Sequence, residues 1–341
     1  MGVGERLSEL DDLERLASRL ADYGRVETLA RVRVGGCVYP ILAFVLGSRD
    51  PNAPSFGIVA GVHGLERIGT HVAIAYMTTL AETLRWDALM RASLETTRLV
   101  LVPLLNPGGM AMGRRSNPRG VDLMRNAPPH PLGQGTFLVG GQSLSPRLPW
   151  YRGRDDGRME TEASALCDLV RRELFGSQCS VVIDLHSGFG MVDRVWFPYA
   201  RTRRPLPHLA EVQALVELLD GTLPNHVYRI EPQARAYTIA GDLWDHLYDA
   251  HRQAHPGNVF VPLTLEMGSW LWVRKNPRQV FDPFGAFNPL QPHRLRRILR
   301  RHLPLLDFLR RVSAAPQAWT ALDEVERQAA QARGFARWFG R

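Results

Sequence analysis

The chain has 341 residues, enough for one large domain or two small ones, and its 45% apolar and 22% charged residues allow a sizeable buried core. No apolar stretch approaches the ~20 residues that span a bilayer, and the N-terminus has neither a secretory leader nor the Ser or Thr that a myristoylated Gly2 requires, so a cytoplasmic protein away from membranes is expected. The net charge of +8 comes almost wholly from arginine, but the basic runs 201–204 and 293–301 lack interleaved aromatics or a nucleic-acid motif and read as solvated surface.

In chain order, Leu7, Leu10, Leu13, Leu16 and Leu20 recur at helical spacing and predict an amphipathic helix over 5–24. Two strands, 26–34 and 38–46, are split by Gly35-Gly36 as in a hairpin. The apolar run 56–62 predicts a buried strand, 69–84 a helix, and 98–105 a second buried strand ended by the turn Asn106-Pro107-Gly108-Gly109. Residues 127–157 have no sustained period and many Pro and Gly, which predicts a long functional loop.

Further on, a helix is expected over 159–174, a strand over 181–185, a short strand over 195–198 and a helix over 208–219. A strand over 227–230, a helix over 241–255, a strand over 259–265 and a basic amphipathic helix over 292–312 follow. Alternating strands and helices argue for an α/β fold: a mixed, largely parallel central sheet with helices on both faces. Residues 1–313 read as one catalytic domain that includes the N-terminal helix and hairpin, and 314–341 as a peripheral helical tail. The odd, widely spaced Cys37, Cys167 and Cys179 suit buried small hydrophobes in a reducing compartment, not a disulfide framework.

Three of the strand-like runs end in polar side chains. The first leads to His63 and Glu66, the second to His186, the third to Glu266. In open α/β sheets ligands bind where strands finish. Two His and one Glu form a ligand set for catalytic zinc that leaves one coordination position free, and a spare carboxylate supplies a general base. Either histidine taken alone reads as a hydrogen-bonded strand-end residue; the set as a whole reads as a site. His251 and His255 have the i, i+4 spacing of a helical zinc site, but Arg252 stands where the glutamate base belongs, and an exposed polar helix explains them. Gly188-Phe189-Gly190 lacks the third glycine of a dinucleotide loop.

His63-Gly64-Leu65-Glu66 resembles the His-Gly-x-Glu signature of the zinc carboxypeptidase (carboxypeptidase A-like) family. Further segments are similar to that family's in the same order. They are Asn106-Pro107-Gly108-Gly109, then Arg115 to Asn126 with its Gly120-Val121-Asp122-Leu123-Met124-Arg125-Asn126, and Tyr151-Arg152-Gly153 with Met159-Glu160-Thr161. Asp184-Leu185-His186-Ser187, Tyr237 with Gly241-Asp242, and Thr264-Leu265-Glu266 complete the series, which covers roughly residues 5–310.

The resemblance implies a zinc-dependent amide hydrolase with one zinc on His63, Glu66 and His186. Glu266 would act as general base and Arg115 would stabilise the oxyanion. Arg125 and Asn126 would contact the substrate, with the Arg125 fork on a substrate carboxylate. Tyr237 would close over the substrate, with Tyr248 as the rival tyrosine, and Asp122 and Asp184 would hold ligand histidines by their second nitrogens.

Two departures stand out. Met124 occupies the place of an asparagine that helps grip a terminal carboxylate, and Gly108 the place of an aspartate. Met124 cannot hydrogen-bond equivalently, so an aspartoacylase-like deacylase of N-acyl amino acids stays open beside the peptidase, and a non-enzymatic binding module is the third reading. The expected partner is a small peptide or N-acyl amino acid, with no nucleic acid and no membrane.

Overall fold

The computed structural model describes residues 6–130, 135–154 and 156–340. The start of the helix expected from residue 5, parts of the 127–157 loop and the last residue of the tail lie outside the described residues. Helix α1 (Ser8–Leu20) buries Leu10, Leu13, Leu16 and Leu20, then β1 (Gly24–Val34) and β2 (Cys37–Gly47) form an antiparallel hairpin. Next come β3 (Ser55–Ala60), α2 (Arg67–Trp86), α3 (Ala88–Thr96), β4 (Arg98–Val102) and the short α4 (Pro107–Ala111). Helix α3 is not predicted by apolar spacing. Asp87 starts it, its carboxylate accepting the N–H groups of Leu89 and Met90 at 2.9 and 3.1 Å.

Beyond the long loop stand α5 (Thr161–Leu174), β5 (Cys179–Ser187), β6 (Arg194–Phe197), α6 (Leu209–Thr222) and β7 (Arg229–Pro232). Helix α7 (Leu243–Ala254), β8 (Val259–Met267), α8 (Trp270–Lys275), α9 (Pro292–Ala314), α10 (Gln317–Thr320) and α11 (Glu324–Trp338) complete the described chain.

The strands form one eight-stranded mixed sheet in the order β1-β2-β4-β3-β5-β8-β6-β7. Its centre, β4-β3-β5-β8, is parallel. Strands β3 and β5 are buried at every residue and β8 at all but its first, which is why they read as unbroken apolar runs. Helices cover both faces, as two neighbours on β5 show. The Trp244 indole of α7 donates to Asp184, while Gly69 of α2 lies against Leu185. Adjacent strand residues point to opposite faces, so α7 and α2 do too.

The tail packs rather than dangles. Trp319 is buried, the Trp338 indole N–H donates to the Ile230 carbonyl at 2.9 Å, and Arg333 of α11 pairs with Glu217 of α6 at 2.7 Å. His251, expected on an exposed face, is instead fully buried between Phe175 and Phe260, at ring-centroid distances of 5.1 and 5.2 Å. Burial pushes its imidazole down to about 4, so it is a neutral core residue. Among the described residues no helix is long and apolar enough to cross a membrane.

Candidate metal centre

The turn after β3 leaves no room for a side chain at its second residue. A Cβ on Gly64 would stand 2.2 Å from the backbone of Gly109 and Met110. Only glycine lets this turn press against the segment after β4, where Gly64 N donates to the Arg115 carbonyl at 3.2 Å. Asn106 completes the junction, accepting Gly109 N at 2.8 Å and donating to the Val62 carbonyl at 3.2 Å. The turn thus sends His63 and Glu66 into the sheet's carboxyl end.

His186 arrives from the end of β5, and the β5–β8 register pairs it directly with Glu266. His63 Nδ1 lies 2.8 Å from Glu66 Oε1, His186 Nδ1 3.1 Å from Glu66 Oε2, and the two Nδ1 atoms 3.1 Å from each other. Donors sharing one tetrahedral zinc at ~2.0–2.1 Å stand about 3.3 Å apart, close to these separations.

The outward nitrogens face carboxylates: His63 Nε2 is 3.2 Å from Asp122 Oδ1, and His186 Nε2 is 2.9 Å from Asp184 Oδ2. Asp122 is placed to accept a proton on His63 Nε2, and the Asp184 carboxylate stands next to His186 Nε2; with protons on those nitrogens, two Nδ1 lone pairs and a carboxylate converge on one point. A cation answers that arrangement, so the donor set fits zinc.

The electrostatics agree. Burial opposes ionisation of Glu66, but the two histidines and Arg115 outweigh it and hold its carboxyl well below the usual range. Asp122 is held down the same way, by Arg125, Arg115 and His63 against its burial. Glu266 behaves oppositely: burial and then the neighbouring Glu66 carboxylate push it up to about 8. Its Oε1 is held by the Phe189 N–H at 3.1 Å, a contact that the sequence did not reveal because Gly188-Phe189-Gly190 carries no motif for it.

A cavity of about 730 Å³ opens beside this cluster and reaches Glu266, Arg115, Asp122, Arg125 and Tyr237. Arg115 bridges the two parts, donating to Glu66 Oε1 at 2.7 Å and Asp122 Oδ2 at 3.1 Å. Arg125 lines the cavity yet is buried. Its Nη1 donates to Asp122 Oδ2 at 3.0 Å, and its Nε and Nη2 both donate to the Val139 carbonyl, at 3.0 and 2.8 Å. Asn126 does not line the cavity. Its amide donates to the Arg152 carbonyl and accepts Glu160 N, so it ties the 152–160 segment to the site. Tyr237 lines the cavity beside Phe189, with ring centroids 5.8 Å apart, whereas Tyr248 is buried in α7 against His208. Met124 is a core side chain.

The family model described as zinc carboxypeptidase matches residues 32–269. The chain belongs to the zinc carboxypeptidase family. Carboxypeptidase SOL1 of Arabidopsis thaliana is 26% identical over 125 residues, 35% of this chain and 25% of that protein. Carboxypeptidase D of Anas platyrhynchos is 27% identical over 170 residues, 48% of this chain and 11% of that protein. The chain therefore matches a quarter or less of the length of either relative.

Two solved structures share the fold at 17% identity. Thrombin activatable fibrinolysis inhibitor superposes with a TM-score of 0.67 over 89% of this chain and 72% of its own. Carboxypeptidase A from Helicoverpa armigera does so with 0.60 over 94% and 75%. The family implies zinc, and the buried His63, Glu66 and His186 are the group among the described residues whose donor atoms lie close enough together to hold an ion.

Proposed function

We propose that this chain is a zinc-dependent hydrolase that cleaves an amide bond in a small, peptide-like substrate bearing a carboxylate. The observation that carries the reading is the register of β5 on β8, which sets Glu266 beside His186 and so beside the convergent His63, Glu66 and His186 donors. Zinc on those residues would lower the pKa of a water molecule toward ~7 and polarise a carbonyl. Glu266 takes the proton of the attacking water and returns it to the leaving amine. Arg115 lies between Glu66 and the cavity, placed to stabilise the developing oxyanion, a contribution typically worth about 2.7–4 kcal/mol. Asp122 fixes the His63 ring and orients both Arg115 and Arg125. Arg125 has five N–H donors, of which three are engaged by Asp122 and Val139; the other two would bond a substrate carboxylate that reaches this buried guanidinium from the cavity it lines. Tyr237 closes over the bound chain.

Met124, spent in the core, removes one hydrogen bond that would hold a peptide's terminal carboxylate. This supports the second reading, a deacylase of N-acyl amino acids. The test is to incubate the zinc-loaded protein with a library of short peptides and N-acyl amino acids and follow mass changes, with Glu266→Gln as control. Release of a C-terminal residue supports the first reading and release of an acyl group the second. No turnover of any member would leave a binding module and overturn both.

A further inference from the structure

Five side chains that carry a full charge when ionised near neutrality, Arg115, Arg125, Arg147, Asp122 and Glu266, line the cavity. Asp122 is shared by Arg115 and Arg125, and the other partner of Arg115 is Glu66, one of the metal donors. Among the described residues Arg147 has no ion pair or side-chain hydrogen bond at all. Among the described residues it is the cation of the cavity wall without a carboxylate partner.

An unpaired arginine on a loop is ordinarily a solvated charge, but this loop is built to hold it. The buried Gln142 amide closes 142–149 from within. Its Nε2 donates to the carbonyls of Ser145, Leu148 and Pro149 at 2.8, 3.2 and 3.2 Å, and its Oε1 accepts Leu144 N and Ser145 N at 2.7 and 3.0 Å. Gln142 N also donates to the Trp150 carbonyl at 3.0 Å, pinning the loop's two ends together. Ser145 Oγ accepts Arg147 N at 3.2 Å, and Pro146 and Pro149 stiffen the flanks.

The loop also rests on the site. A Cβ on Gly120 would meet Pro146 at 2.9 Å, and Gly120 itself has φ +84°. Trp150, at the loop's end and also on the cavity wall, is held at φ +61°, a conformation that a bulky residue keeps only when its surroundings enforce it. Arg147 is therefore presented on a fixed support in the wall of the cavity that Glu266 also lines, and a preorganised donor loses little freedom on binding.

We infer that Arg147 is a specificity-determining residue that selects substrates carrying an acidic side chain next to the scissile bond. A guanidinium fork suits a carboxylate, and a partly enclosed cavity with excess positive charge concentrates anionic substrates. This inference deepens the hydrolase reading and rests on it.

The experiment uses two short peptides that differ only in Glu against Gln beside the scissile bond, both with a free terminal carboxylate. The zinc-loaded wild type is expected to prefer the Glu peptide in kcat/KM by about tenfold, the size of one charge-assisted hydrogen bond. Arg147→Ala should bring the ratio near unity, mainly through KM. Arg147→Lys should keep part of it, and Arg147→Glu should reverse it. Gln142→Ala, which leaves the arginine but loosens its support, should lower the ratio as well.

A wild type without preference, or an Arg147→Ala protein that keeps it, overturns the inference. The same pair is titrated calorimetrically into zinc-loaded Glu266→Gln protein, with and without Arg147→Ala. That affinity ratio decides the role of Arg147 even if no peptide is turned over, an outcome that would sink the hydrolase reading instead.

Discussion

Glu266 and Arg147 line the same cavity on different kinds of support. The metal side of the cleft stands on the ends of β3, β5 and β8. There the backbone is fixed by sheet pairing on both sides, and every functional side chain is buried. The opposite side, residues 115–126 and 136–153, has almost no regular structure. Side chains bonded to backbone hold it instead: Arg125 on Val139, Asn126 on Arg152 and Glu160, Gln142 on Ser145, Leu148 and Pro149. The sheet side carries the groups that must converge within tenths of an ångström; the loop side supplies Arg115 and Asp122, which touch them, and carries Arg125 and Arg147, the residues proposed to decide what is admitted. Loops tolerate change better than paired strands, so on this account selectivity is the property that substitutions alter most easily.

Substitutions on the sheet side should strike turnover or metal. The largest effect is expected for Glu266→Gln, with kcat lowered by about 10²–10⁴-fold and zinc content unchanged. Full activity, or loss of the metal, would break the assignment. Its pH dependence follows from the charge state. Glu266 must be ionised to accept a proton, so activity falls as pH drops. Without metal its carboxyl is pushed up to about 8, and a bound divalent cation favours the ionised form, so the acid limb of kcat/KM should lie below about 8. An acid limb at or above about 8 would contradict this.

Metal removal comes next. Chelation should lower the melting temperature by the equivalent of about 4 kcal/mol if zinc had been present at a thousand times its Kd. The shift should vanish in His186→Ala. Equal shifts in both proteins would place the ion elsewhere.

Arg115→Met should reduce kcat by about 10²–10³-fold with a smaller change in KM; a change confined to KM would make it a binding group only. Asp122→Asn should weaken zinc about 10–100-fold in a chelator competition. It is expected to disturb the metal because it touches His63 directly, as Arg115 touches Glu66. The smallest effect on the fold is expected for Gln142→Ala: about 1 kcal/mol of stability for each loop bond not replaced by water, with zinc affinity unaltered.

The contrast also explains what was readable in the sequence. Strands buried on both faces are continuous apolar runs, so the polar residues that end them, His63, His186 and Glu266, stand out. The boundaries of the long helices followed the apolar spacing closely; α3, whose signal is the single cap Asp87, and the short α8 were not anticipated, and α4 stands where a turn was expected. On the loop side, motif order brought Asp122, Arg115 and Arg125 to the cavity, but their partners come from far along the chain. Nothing local to Arg125 or Asn126 announces the Val139 carbonyl or Glu160 N. Arg147 and Phe189 went unread for the same reason: one depends on the Gln142 clasp, the other on a backbone N–H. His251 was misplaced because the face that a polar-looking helix buries depends on Phe175 and Phe260, which lie on other elements.

Anomalous diffraction at the zinc edge, from crystals grown with stoichiometric zinc, addresses the arrangement on which all of this depends. One ion per chain is expected, at about 2.0–2.2 Å from His63 Nδ1, His186 Nδ1 and a Glu66 oxygen, with Glu266 beside it and not ligating. An ion bound elsewhere, or no peak between His63 and His186, would contradict that expectation.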